Sequence, residues 1–586
     1  MDFFRVNMTI RVQKLLFWGI IFVVFFLFLQ GQYAYLFYYQ EQLRMFLFSK
    51  EYALDSLARV GGMADYIAGF FQQFYGLPGF GAVFTSLLLV ACGVLLQKLL
   101  SMRMSKASLL PDVLALMPLC GLLILHLDVN YQITGTLAFF FCLVCWRIYI
   151  ASANRWLSFS EIIGLTSLLY GIGGAVFMLF VCGLLVYECT MRRKYWIPAM
   201  GVLMLTGAFW LYFPLTQAWQ SEMRLIALPD AYYEYLLDAK KCYWAWGLTL
   251  LVILLANLFR NRAVSSWKMA VAAFLLMAGV WGKIWTDKDS ILLYAYERDY
   301  YLRHQQWEKI IATFPSEHPT VPTLNVLNLA LACRHELGDK MFSYPQNGSQ
   351  TLVSSWNGSL IDAMICSDIF YQVGDIASAQ KFAFEGLITS TRSNPRLLQR
   401  LVETNIICGA YPVAAKYIAL LEKTLFYKDW ARGQRAYLSD DGVRQCVEYQ
   451  SKRKGWHNKE KYAVSVDFLK TLEQLLVNNP EADMALQYLS GFYLLNRSLS
   501  KFKQLYDTYF HTEVWRELTV HQQEAVIALA QDNPGEWARM GVGWEVEQHY
   551  GAFSQDMADK HNFLNFAEEM AQDYGNTYWF YLLFKK

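Results

Sequence analysis

The chain has 586 residues, with 51 Lys and Arg against 49 Asp and Glu, so its net charge is close to zero; charged residues make up 17 % and aromatics 16 %. That balance excludes the basic footprint of a nucleic-acid binder, and the length is more than one domain holds. Among the eleven cysteines, Cys142 and Cys145 form a lone CxxC inside an apolar run, with no second such pair and no Cys/His ligand spacing, so neither a zinc site nor a disulfide framework is argued on spacing grounds.

Two regions of unlike character follow one another. Residues 1–286 are a string of apolar runs, and residues 287–586 are mixed in the manner of a water-exposed domain. The first run, 15–30, is preceded by Arg5, Arg11 and Lys14 and has no small-residue cleavage site after it, so it reads as an uncleaved anchor. Further runs at 81–100, 109–126, 133–150, 195–215, 243–260 and 265–285 are each of spanning length. The stretch 158–190 is broken by Tyr170-Gly171-Ile172-Gly173-Gly174 and has Arg155 before it and Arg192-Arg193-Lys194 after it. Two basic flanks belong on one side, so it should cross twice, and the expected total is about nine spans. The same rule puts the N-terminus inside and 32–80, 217–241 and everything after 286 outside, which in a Gram-negative cell is the periplasm.

The outer stretch 32–80 is too polar to span and too aromatic for a plain loop. Phe46, Phe48 and Tyr52, then Ile67, Phe70, Phe71 and Phe74, recur at helical spacing, and Gly61-Gly62 separates two interfacial helices. Glu41, Glu51, Asp55 and Asp65 sit among them.

In 287–586, Gly338, Gly374 and Gly409 each follow one helical run and begin another, in steps of 36 and 35 residues. This is close to the tetratricopeptide period of about 34 residues. Ala379, Ala383, Ala414 and Ala415 stand where paired helices approach, and Asn394-Pro395 and Asn479-Pro480 start helices. The fold class is therefore all-α: a polytopic transmembrane helical domain followed by an α-solenoid of tetratricopeptide-like pairs, each burying its face only against its neighbours.

Glu41 has two readings, an acid hydrogen-bonded to nearby tyrosines or a base acting on an acceptor hydroxyl at the membrane surface, where burial would raise its pKa. Asp65 has the same two; Glu51 and Asp55 read as solvated. His126, at the end of the third run, satisfies a backbone group or faces a lipid phosphate. Arg224, Lys240 and Lys241, beside Tyr232, Tyr233 and Tyr235, contact lipid headgroups or the diphosphate of a lipid carrier. No Gly-rich phosphate loop, nucleophile elbow or metal-ligand cluster occurs, so no cofactor is expected and a divalent metal has no sequence support. Glu161, Glu188 and Asp112 lie near the inner ends of the runs, which argues against a midplane proton relay.

EQLRMFLFS, GGMADYIAGFFQQFYGLPGFGA, MFSYPQ and GDIASAQ together resemble a family of uncharacterised bacterial multi-pass membrane proteins of unknown function. The layout is also similar to that of the GT-C superfamily of polyprenyl-lipid-dependent glycosyltransferases. Those enzymes have an inside N-terminus and a first outer loop carrying a catalytic acid soon after the first span. The resemblance makes Glu41 the base, Asp65 a helper and His126 or Arg224 a phosphate contact. It implies a polyprenyl-phosphate-linked sugar donor, with the solenoid holding the acceptor or an envelope protein. Glu41-Gln42 departs from the superfamily's paired acids. The rival expectations are a non-enzymatic membrane-anchored scaffold in envelope assembly and, third, a lipid or solute transporter.

Overall fold

A computed structural model describes residues 2–102, 104, 108–151, 158–191, 229–234, 241–259, 266–287, 290–315, 319–355, 357–456, 468–479, 482–530, 533–560 and 565–585. The described residues are helical apart from turns and two isolated bridges, and no strand forms among them. The chain divides into Met1–Tyr296 and Glu297–Lys586, ten residues beyond the boundary the composition suggests.

In the first unit, α1 (Asp2–Gln42) is a single long helix kinked at Tyr33, and α2 (Lys50–Leu57) is capped by the Ser49 hydroxyl. There follow α3 (Gly62–Gln72), α4 (Phe80–Ser101), α5 (Leu110–Leu125), α6 (Ile133–Ala151), α7 (Ser158–Gly173), α8 (Phe177–Met191), α9 (Cys242–Leu258) and α10 (Ser266–Asp287). Among the described residues five segments are long and apolar enough to cross a membrane, fewer than nine: 11–42, 80–101, 133–151, 267–286 and 161–188, the last of which comprises the two shorter helices α7 and α8. The runs at 109–126 and 243–260 make helices of only 16 and 17 residues, and 195–215 lies outside the described residues.

The stretch 158–190 folds back on itself at its glycines. The amide of Gly61 donates to the carbonyl of Gly171 at 2.9 Å, so the end of α7 lies beside the α2–α3 turn. The start of α6 lies there too, since Thr134 reaches Asp65. At the other end of α6, Tyr149 donates to Glu188 near the end of α8 at 2.8 Å. Helix α8 therefore runs alongside α6 and opposite to α7. Gly174, at φ +71°, makes the reversal possible.

Phe46 lies among Phe48, Tyr52, Tyr66 and Phe70 at ring separations of 5.1–5.7 Å. The two aromatic stripes of 32–80 thus pack on one another as one cluster.

In the second unit, helices Leu360–Val373, Ile376–Thr389, Pro395–Ile407 and Tyr411–Leu421 pack in sequence. Four of the helix-to-helix turns share one device, a left-handed residue followed by an amide that reaches back five residues. They are Gln305 with Gln306 to Tyr301, His335 with Glu336 to Leu331, Gly409 with Ala410 to Asn405, and Arg497 with Ser498 to Tyr493; each bond is 2.8 Å. Gly374 is left-handed as well, at φ +101°.

Gly338 is not a turn. It lies inside helix Leu337–Lys340, and a Cβ there would strike the side chain of Thr519. Nor does each pair bury itself only against its neighbours. Helix Asp483–Leu495 returns to pack on 321–333 and 360–373, and Phe342 packs edge-on against His521 and at a tilt against Tyr578 and Tyr581.

Candidate functional site

One end of the first unit gathers the end of α1, helices α2 and α3, the α5–α6 turn, the α7–α8 reversal and the segment 229–234. Hydrogen bonds hold these pieces together. Gln40 Nε2 donates to the carbonyls of Val129 at 3.2 Å and Tyr131 at 3.4 Å. Gln72 Nε2 donates to the Gln40 carbonyl at 2.6 Å. The segment 232–234 pairs with 130–132: Gln132 N donates to Tyr232 O and Glu234 N to Asn130 O, both at 2.8 Å. The Tyr232 hydroxyl donates to Gly173 O and accepts from Val176 N, which ties the reversal into the same cap.

Arg44 is the centre of the cap. One turn beyond Gln40, its guanidinium lies across the bare face of Gly69, where a Cβ would come within 2.6 Å of Nε. Nη1 and Nη2 donate to the two carboxylate oxygens of Asp65 at 2.9 and 2.8 Å, and Nη2 also reaches the Asp65 carbonyl at 2.8 Å. The Arg44 side chain is 3 % exposed and that of Asp65 20 %. Thr134 Oγ1 donates to Asp65 Oδ1 at 3.4 Å. Both carboxylate oxygens are thus taken up by a bidentate ion pair, the strongest geometry available to a carboxylate.

Glu41 sits at the end of α1, 4 % exposed, with Gly76 opposite its side chain. Glu51 and Asp55 are exposed, as a solvated face requires. His126 caps α5; its Nε2 shares a hydrogen bond of 2.8 Å with the Thr136 hydroxyl, and Tyr131 packs edge-on against the ring at 5.0 Å. Lys241 pairs with Asp128 at 3.2 Å. Arg224 and Lys240 lie outside the described residues. The structure therefore brings Glu41, Asp65, His126 and Lys241 to one end of the unit.

Sequence reasoning missed Arg44, although it is the partner that decides what Asp65 can do. An ion pair across 21 residues, between two helices, leaves no local signal. Gln72 and Gln132 were missed too. Arg44 Nε, Gln72 Oε1 and Gln132 Nε2 are buried with no hydrogen-bond partner among the described residues, so the cap retains polar capacity. The acids nearer the opposite end are held: Asp112 by Trp18 Nε1 at 3.0 Å and Lys14 at 3.5 Å, and Glu188 by Tyr149. No group of three or more His, Cys, Asp or Glu side chains disposed to hold a metal occurs among the described residues.

A family model described as "Family of unknown function (DUF6057)" matches residues 8–585. No curated protein and no solved structure matches the chain.

Proposed function

The chain belongs to the DUF6057 family, and we propose that it is a multi-pass membrane protein whose second unit, built on tetratricopeptide-like helix pairs, binds an envelope partner at the outer face of a bacterial inner membrane. In this reading the loop acids hold the cap together. The observation that carries it is the use made of Asp65: Arg44 occupies both of its oxygens, which leaves it poorly placed to take a proton from an acceptor. The left-handed turns at Gln305, His335, Gly374, Gly409 and Arg497 support the repeat origin of the second unit, although later helices close back over earlier ones.

A second reading, a GT-C-like transferase using a polyprenyl-phosphate-linked sugar, is favoured by one observation. Glu41 is buried at the end of α1, and the unpartnered polar atoms of Arg44, Gln72 and Gln132 lie on the segments that Gln40 ties together. Glu41 would be the base there, and neither metal nor cofactor is invoked.

The experiment compares a deletion strain with its parent. The scaffold reading expects a defined set of envelope proteins to be lost with glycans unchanged, and full rescue by Glu41→Gln. A missing glycan or glycolipid, restored by the wild-type chain and not by Glu41→Gln, would replace it with the transferase. General base catalysis contributes roughly 100- to 10,000-fold in rate, so that outcome would be plain.

A further inference from the structure

Two cavities of the second unit balance their charges differently. In the first, Arg396 and Arg400 are neutralised by Asp299, Asp368 and Glu403 at 2.5–2.8 Å, the arrangement of a structural ion network. The second, a cleft of about 470 Å³, is lined by Gln346, Asn347, Asn496, Arg497, Tyr581 and Lys585 among others. Its only charged lining residues are the two cations, and no described carboxylate pairs with either.

The walls of this cleft are fixed. The Tyr581 hydroxyl accepts from Gly348 N at 3.1 Å and donates to Leu495 O at 2.9 Å. Arg497 lies over the Tyr581 ring at 5.5 Å and donates through Nη2 to the Tyr581 carbonyl at 3.3 Å. That leaves the remaining guanidinium donors for a ligand. Lys585 is half-buried, and burial pushes its amine below the ordinary lysine value. Arg497 is exposed and Lys585 half-buried, so two cations face a cleft whose lining holds no acid, and an anion there would meet two charged donors.

We propose that this cleft binds an oxyanion, phosphate or carboxylate, carried by a small polar molecule. Arg497 takes the oxyanion through its planar fork, Lys585 supplies the second charge, and the amides of Asn347 and Asn496 serve neighbouring hydroxyls. The volume lies within the range of small-molecule sites, about 300–1,000 Å³. The proposal is independent of whether the first unit is catalytic.

The test is calorimetric titration of the full chain in an uncharged detergent with inorganic phosphate, glucuronate and, as the neutral control, galactose. Phosphate and glucuronate separate the two sources of the charge. Saturable binding of at least one oxyanion is expected, with none for galactose. Arg497→Gly and Lys585→Gln should each weaken binding at least tenfold. Arg497→Gly is chosen because Arg497 is left-handed, at φ +55°; glycine relieves that backbone, so the variant keeps its turn while losing the guanidinium. Arg497→Lys, which restores charge without the fork, should recover part of the affinity. If neither oxyanion binds, or if binding is undiminished in both variants, the proposal is overturned.

Discussion

Arg44 and Asp65 allow the cap to be tested directly. The pair makes two charged hydrogen bonds of 2.9 and 2.8 Å and a third to the Asp65 carbonyl at 2.8 Å, with the Arg44 side chain 3 % exposed. Removing one partner leaves the other charged, desolvated and unpaired, a loss of about 3–5 kcal/mol in buried pairs. Asp65→Ala and Arg44→Ala should therefore each destabilise the first unit by about that much. The double variant should be little worse than either single one, because the second change removes the stranded charge; the coupling should therefore be about as large as one single loss, about 3 kcal/mol or more. Gly69→Ala gives an independent approach to the same contact, since its Cβ would displace the guanidinium. The assay is denaturant unfolding of the full chain in detergent, followed by tryptophan fluorescence. Additive effects of less than about 1 kcal/mol each would mean that the pair is solvated and that Asp65 is free for other work.

Gln305→Gly should raise the stability of the second unit by about 1 kcal/mol, since Gln305 holds a left-handed turn at φ +52° at steric cost; slower exchange of the Gln306 amide, bonded to Tyr301, is the local readout. Gly183→Ala should destabilise the first unit by about 1–3 kcal/mol, because the added methyl meets the Trp146 ring; a lowered thermal midpoint checks it. Lys452 supplies a pH test. Burial lowers its amine from 10.5 to about 8, against the opposing pull of Glu448, with Arg400 lowering it further. Between those values the unfolded chain binds more protons, so stability rises with pH through that window, by on the order of 1–3 kcal/mol. Lys452→Met should flatten the rise, and an unchanged slope would refute the assignment.

What the sequence could reveal depended on range. Gly374 and Gly409 were legible as turns because a positive φ is what glycine permits and most residues avoid, and both have it. His335, Gln305 and Arg497 make the same turn without that signal, so Gly338 was taken for a turn that His335 performs three residues earlier. Gly338 is glycine for another reason, the approach of Thr519 from a distant helix. The break at Gly171–Gly174 was legible from glycine and from the flanking charges. Among the described residues, apolar runs overstate the number of spans, because those at 109–126 and 243–260 make helices of only 16 and 17 residues. At the cap, the acids and His126 were legible as polar residues in apolar surroundings, but their partners were not. Thr136 for His126, Arg44 for Asp65 and the carbonyls of 129 and 131 for Gln40 are all tertiary contacts.

The return of the late helices over the early ones has a consequence for how the chain is made. Trp579 donates to the Glu524 carbonyl, Tyr578 N to the Glu524 carboxylate, and the Tyr581 hydroxyl bonds both Gly348 and Leu495. The faces of 321–333 and 360–373 that helix Asp483–Leu495 covers must therefore wait, bare, until more than a hundred further residues have been synthesised. An open stack of repeats would complete itself pair by pair as it emerged. This unit cannot close until helix Tyr578–Phe584 arrives, so its early helices pass through a stage of exposed apolar surface whose length is set by translation.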